Sequence, residues 1–265
     1  MLNRYIGGCR RHLLFVLSLL VLTLPLSVRA NDVPAIAAAS SIKFALDEIV
    51  EQFTQDTGHR VRVSYGSSGN FVAQIQHGAP FELLLSADKR YTEQLVTAGL
   101  TNDTGVVYAV GKLVLAAPKH SPLELDAQLT GLKALIESGQ LKRFTIANPQ
   151  HAPYGERAQQ VLQQAGLWES IQGQLIYGEN VSQSAQFAIS GSTQGGLVAL
   201  SLAKSPVFEA RANYIEIPIS AYTPLEQKMV LLRNAGQTAH AFFDYLQTDT
   251  AHAIFQQYGF GKGAE

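Results

Sequence analysis

Short apolar runs that end in small polar residues and lead straight into helix-periodic segments recur along this chain, and that alternation constrains its fold most. Ala35–Ala39 runs into Ser40-Ser41, after which Ile42, Ala45, Leu46, Ile49, Val50 and Phe53 recur at helical spacing until Gly58. Val61, Val63 and Tyr65 alternate with polar residues as a half-buried strand does. Gly66-Ser67-Ser68-Gly69 then breaks the strand before a helix over 71–76, capped by Gly78. Residues 81–85 read as a buried strand, followed by a helix from about 88 to 98. Such an alternation predicts a mainly parallel sheet with helices on both faces.

The pattern then resets. Residues 106–117 form a long β-rich stretch, a candidate crossover into a second lobe. Beyond it come a helix over 132–138, a strand over 143–147, a helix over 155–165 and a strand over 175–177. A helix over Val181–Ile189, a buried strand over 197–202 and strands over 214–217 and 228–232 follow, the last returning the chain to the first lobe. Helices over 238–246 and 250–258 finish it, with Gly259 as a cap. The predicted fold class is α/β, with two lobes that are each a mainly parallel sheet flanked by helices. Residues 31–113 and 225–265 are assigned to lobe I and 114–224 to lobe II. A ligand cleft would lie between them, since ligands of such sheets bind at the carboxyl ends of strands.

The front of the 265-residue chain reads as an address. Arg4, Arg10 and Arg11 precede an apolar run over 13–24, then Pro25 and Val28-Arg29-Ala30, the signature of a secretory signal peptide cut after about Ala30. The apolar run is shorter than the roughly 20 residues of a membrane span. Residues 1–30 hold four arginines, no acid and Cys9, the sole cysteine. The remainder has 16 basic and 21 acidic residues, net −5, and no thiol. That excludes a disulfide scaffold or cysteine-rich zinc site and suits an oxidising, periplasmic location. Its acidity argues against nucleic-acid binding, which needs a basic footprint.

Four strand-to-helix junctions could carry chemistry: Ser40-Ser41, Ser67-Ser68, the turn over 151–155 containing Pro153-Tyr154, and Asn180-Val181-Ser182. Helix N-termini offer unpaired N–H groups and a positive dipole end, so several converging on one point would bind an anion without a formal cation. Taken singly, a serine there does the ordinary work of capping, worth about 1 kcal/mol. The rival class is an exported serine hydrolase using Ser67 or Ser68. However, 66–69 is not G-x-S-x-G, and the histidines outside the leader sit in no recognisable context. His151, the one near a junction, reads as a solvated loop residue. Nothing has metal-ligand spacing. The glycine-rich 191–196 lacks a P-loop lysine and reads as a turn.

Taken in order, Ala37-Ala38-Ala39-Ser40, Tyr65-Gly66-Ser67-Ser68, Leu84-Leu85-Ser86-Ala87-Asp88, KLVLAAPK over 112–119, NPQHAPYG over 148–155, Glu179-Asn180-Val181 and IFQQYGF over 254–260 make a set. It resembles the periplasmic molybdate-binding proteins of molybdate ABC importers, over essentially the whole chain after the leader. The resemblance implies a monomeric, hinge-closing receptor, not an enzyme and without cofactor. It would hold molybdate or tungstate by neutral hydrogen bonds and deliver it to a transmembrane permease, with sulfate or another oxyanion as the alternative ligand. Carried over by position, Ser40 and Ser68 would give hydroxyl and amide donors, Tyr154 and Val181 backbone amides, and Ser41 an extra donor. The metal would be bound only as the oxyanion. Some members carry a tyrosine where this chain has Ala199, and a small residue where it has Tyr154; the chain resembles a second branch, and no role for the Tyr154 hydroxyl follows.

Overall fold

In a computed structural model residues 33–262 are described; the leader, with Cys9 and the cut after Ala30, lies outside them. The first lobe is built on β1 (Ala35–Ala39), whose five alanine and isoleucine side chains are all buried. Strand periodicity sends Ile36 and Ala38 to one face and Ala37 to the other. On the first face they meet Leu46, Ile49 and Phe53 of α1 (Lys43–Thr57). On the second they meet Phe71, Val72 and Ile75 of α2 (Ser68–Gln76), which follows β2 (Arg62–Gly66). β3 (Leu83–Ser86) and α3 (Lys89–Thr97) complete this run, with Leu95 in the second core. The small side chains of β1 let two helical layers approach the sheet closely.

The stretch 106–117 is a crossover made of two strands in different sheets. β4 (Val106–Gly111) belongs to the first lobe and β5 (Leu113–Pro118) to the second, with Lys112 between them. The second lobe continues through α4 (Thr130–Glu137), β6 (Phe144–Ala147), α5 (Pro153–Gln164), a short α6 (Trp168–Ile171), β7 (Leu175–Gly178), α7 (Val181–Ile189) and β8 (Gly196–Ala199). One-turn helices α8 (Leu200–Ala203) and α9 (Pro206–Glu209) lead to β9 (Ala212–Glu216). The chain recrosses through 217–224 into β10 (Leu225–Leu231), then α10 (Gln237–Tyr245), α11 (Asp249–Gln257) and β11 (Gly261–Lys262).

Both lobes are α/β, as expected, but both sheets are mixed rather than mainly parallel. The first has order β11-β4-β10-β3-β1-β2, with only the pairings among β2, β1 and β3 parallel. The second has order β7-β6-β8-β5-β9, with β7, β6 and β8 parallel. Of the strands that carry the chain between lobes, β10 and β5 run against the parallel sets, while β4 and β9, each antiparallel to one of those two, point the same way as the parallel strands. A second correction concerns 197–202, expected as one strand. The strand ends at Ala199 because the Leu200 N–H donates to the Lys112 carbonyl and the Ser201 hydroxyl to the Ser41 carbonyl, turning the chain into α8. Every residue there is buried, so no periodicity separated strand from helix.

Candidate functional site

The parallel strands of both lobes end at the same place. Ser40 and Ser41 follow β1 and open a 3-10 turn (Ser40–Ile42) that feeds α1. Ser67, in extended conformation, precedes α2, and Ser68 is the first residue of that helix, three residues earlier than the periodicity suggested. Ser68 is fully buried, and its Oγ accepts from the Ala87 N–H just beyond β3 at 3.0 Å. That leaves the Ser68 proton and its own amide as donors, the Gly69 amide being bonded to the second lobe. From the second lobe, Pro153 occupies the first position of α5 and has no N–H, so Tyr154 supplies the first amide of that helix. The Asn180 carboxamide oxygen caps α7, accepting from the Ser182 and Gln183 amides at 3.1 Å each, and leaves the Val181 amide uncapped.

These ends enclose a small cavity of about 10 Å³. Ser40, Ser41, Ser68, Tyr154 and Val181 all line it, as do Ser67 and Ala87, and no lining residue carries a charge. Its lining offers an acceptor-rich anion backbone N–H and hydroxyl donors alone, in a space that with the lobes in this arrangement is about the size of one water. Ala199 is not among the lining residues; it ends β8 opposite Leu113. Residues 191–194, within the segment read as a turn, form a bend, and Gly196 already opens β8. Among the described residues no cluster of three or more His, Cys, Asp or Glu could hold a metal ion. A larger open groove of about 540 Å³, lined in part by Lys119, His120 and Arg211, lies on the second lobe and contains none of these strand ends.

Direct bonds between lobes surround the cavity. Ser40 Oγ accepts from the Ser182 amide at 3.2 Å, and the Gly69 amide donates to the His151 carbonyl at 2.9 Å. Asn70 Nδ2 donates to Glu179 at 2.6 Å. His151, expected as a solvated loop residue, is instead held in this seam, its Nδ1 3.0 Å from Ser67 Oγ and its Nε2 3.6 Å from Glu179. The 151–155 turn is pressed against α2, so its histidine has a partner to find. Behind the cavity Arg157, one turn along α5 from Tyr154, pairs with Asp88 at the cap of α3; both side chains are almost fully buried. Arg90 joins Asp88 at 2.7 Å and Glu156 at 2.5 Å. Burial pushes the Asp88 carboxyl up, but hydrogen bonds from Arg90 and the charges of Arg157 and Arg90 outweigh it and hold it below the usual carboxylate range.

The Tyr154 phenol faces β4 and β10, two of the strands that carry the chain between the lobes. It is 2% exposed and accepts from Gln227 Nε2 of β10 at 3.2 Å, while the Tyr108 hydroxyl of β4 donates to Gln227 Oε1 at 3.0 Å. Sequence reasoning missed Arg157, Asp88 as an ion-pair partner, and Gln227. One signal was available: Arg157 lies on the apolar stripe formed by Tyr154, Ala158, Val161 and Leu162, where an unpaired charge is forbidden.

Known proteins share this fold. Residues 35–261 match the model of the family described as bacterial extracellular solute-binding protein. The molybdate-binding protein ModA of Azotobacter vinelandii is 36% identical over 254 residues, covering 93% of this chain and 98% of that protein. ModA of Rhodobacter capsulatus is 36% identical over 244 residues, covering 91% and 92%. The solved periplasmic molybdate-binding protein of Azotobacter vinelandii superposes with a TM-score of 0.79 at 29% identity, over 87% of this chain and all of that one. The sulfate-binding protein SubI of Mycobacterium tuberculosis shares the fold alone, with a TM-score of 0.70 at 14% identity. A two-lobed α/β chain whose cleft collects uncharged donors, matched from its first strand to its last, belongs to the bacterial extracellular solute-binding protein family.

Proposed function

We propose that this chain is a periplasmic receptor that captures molybdate, and with it tungstate, and delivers it to the permease of an ABC importer. The observation that carries the reading is the cavity lined by hydroxyls and helix-start amides with no charged residue. Molybdate is a dianion with four acceptor oxygens and no proton near neutral pH. Burying it is costly unless each oxygen is hydrogen-bonded, and a site made of donors meets that demand. Hydrogen phosphate carries a proton that would need an acceptor, and sulfate must be excluded by size. Ser40, Ser68 and Ser41 would donate from lobe I (31–113 and 225–265), and the Tyr154 and Val181 amides from lobe II (114–224). The metal is then held only through its oxygens. The chain would be exported by its leader and act as a monomer, without cofactor or nucleic acid.

The test is calorimetric titration of the protein lacking residues 1–30 with molybdate, tungstate and sulfate. One-to-one heat from the first two and none from sulfate is expected; heat from sulfate alone would change the ligand, and none from any would remove the reading. The Ser67–His151–Glu179 alignment favours a second reading, a serine hydrolase. Against it, Ser67 is 4% exposed and faces a histidine of the other lobe, so a substrate carbonyl cannot reach it while the pair is formed. A serine-reactive fluorophosphonate is expected to leave the protein unlabelled.

A further inference from the structure

Tyr154 meets the cavity with its main chain and the first lobe with its side chain. Its amide is the first that α5 offers, because Pro153 before it has none. Its hydroxyl reaches the first sheet, where it accepts from Gln227 Nε2 of β10 at 3.2 Å. Gln227 is fully buried, and the other end of its carboxamide accepts from the Tyr108 hydroxyl at 3.0 Å. An irregularity in the sheet accompanies this contact. Gln227 pairs with Ala109 of β4, but Lys228 pairs with Val107, so Tyr108 is the extra residue of a bulge. A bulge bends its strand locally and re-aims a side chain. Gly111 makes the remaining room: a Cβ there would overlap the Tyr154 oxygen and stand 2.8 Å from Gln227 Nε2. At the next residue, Lys112, the chain leaves the first sheet for the second. The phenol is thus seated in lobe I, beside the point where the chain passes between lobes.

We infer that Gln227 is a positioning residue for anion capture: it anchors the Tyr154 phenol and thereby sets where the Tyr154 amide stands relative to the serine donors of lobe I. A tyrosine side chain has two torsions confined to a few wells, so holding its far end restrains the main chain it hangs from. An unanchored amide would have to be ordered by the anion, at a cost in affinity, whereas an anchored one is already aimed. Tyr108 stands behind Gln227 and fixes the turn of its carboxamide. The Val181 amide provides the contrast. It comes from the same lobe, but it is held by the Asn180 cap of its own helix. The two donors of lobe II are therefore aimed by different means, one from the crossing strands and one from within its helix.

This inference rests on the oxyanion reading, and the experiment separates the two. The purified protein and its Gln227→Met, Tyr154→Phe and Gln227→Met/Tyr154→Phe variants are titrated with molybdate. Each is also melted without ligand, and their amide NMR spectra are compared. Molybdate affinity should fall about tenfold in either single variant, the loss of one buried hydrogen bond. The double variant should be no weaker than Gln227→Met, because both changes break the same bond. The readout that a merely structural role would not give is local. In ligand-free Gln227→Met the Tyr154 amide resonance should move while that of Val181 stays, and the Val181 resonance should still move when molybdate is added. Tyr108→Phe, which removes only the outer bond and little volume, should move the Tyr154 resonance with a smaller loss of affinity. It carries the test if Gln227→Met melts early. Unchanged affinity in Gln227→Met, Tyr154 and Val181 resonances that move together, or losses that multiply in the double variant overturn the anchor while the oxyanion reading stands. No molybdate heat from the unsubstituted protein overturns both.

Discussion

Ser68 has its oxygen committed to the Ala87 amide and its proton free, so a side chain that looks like a cap is spent across strands and not on its own helix. Ser68→Ala should weaken molybdate binding by about 1–3 kcal/mol, the cost of an under-bonded buried charge, as read by calorimetry. Unchanged affinity would remove Ser68 from the site. Gly69 beside it makes a different demand. A Cβ there would come within 2.8 Å of the His151 carbonyl in the opposite lobe. Gly69→Ala should therefore obstruct closure without disturbing either core: a weaker anion complex and an unchanged melting temperature in the absence of ligand. An equal loss of both would mean that the contact supports the fold itself. At this scale the sequence showed which hydroxyls stand at helix starts, because short polar residues after an apolar run have a local signature. It could not show that Ser41 stays unpaired or that Arg157 meets Asp88, since those facts depend on residues 69 positions or more away.

Helix starts are where the elements contribute. The cap of α7 takes two amides and leaves that of Val181, so the donor at the cavity exists only while Asn180 holds the first turn in shape. Asn180→Ala should cost about 1 kcal/mol of stability in thermal unfolding. Molybdate affinity should fall too, since the frayed turn no longer aims its amide; a stability loss with intact affinity would detach the cap from the site. Elements with clean periodicity were legible. Val181–Ile189 has the bounds expected, and β1 was readable from its uninterrupted apolar run. The run over 197–202 was not, because a fully buried segment has no polar face to reveal its period, and neither was the division of 106–117 at Lys112, which is made by partners in two separate sheets. The antiparallel strands were illegible for the same reason, as direction belongs to pairing and not to composition.

The two lobes are joined by hydrogen bonds and a buried ion pair, and this gives the whole molecule its pH response. Asp88 is held below the usual carboxylate range, so its contribution is complete above about pH 4, the ordinary value, and is lost as pH falls through that value toward its own. Anion affinity should be flat from pH 7 to about pH 5 and fall below pH 4, and Asp88→Asn should flatten that fall. If the acid limb is the same in Asp88→Asn, other carboxylates or protonation of the anion itself govern it. Arg157→Met would leave Asp88 without its one buried cationic partner, with Arg90 alone to hold it, and opening the cleft is a way to hydrate it. Its anion affinity should drop more than its ligand-free melting temperature. The seam carries one more consequence, and it concerns time. The bonds from Ser40 to Ser182, from Gly69 to His151 and from Asn70 to Glu179 all lie between lobes, so parting the lobes breaks all three. Residence time then depends on how often the lobes part, which the anion's own grip on both of them slows. A receptor built this way holds its cargo on a clock of its own, and whatever unlocks the seam from outside decides the moment of release.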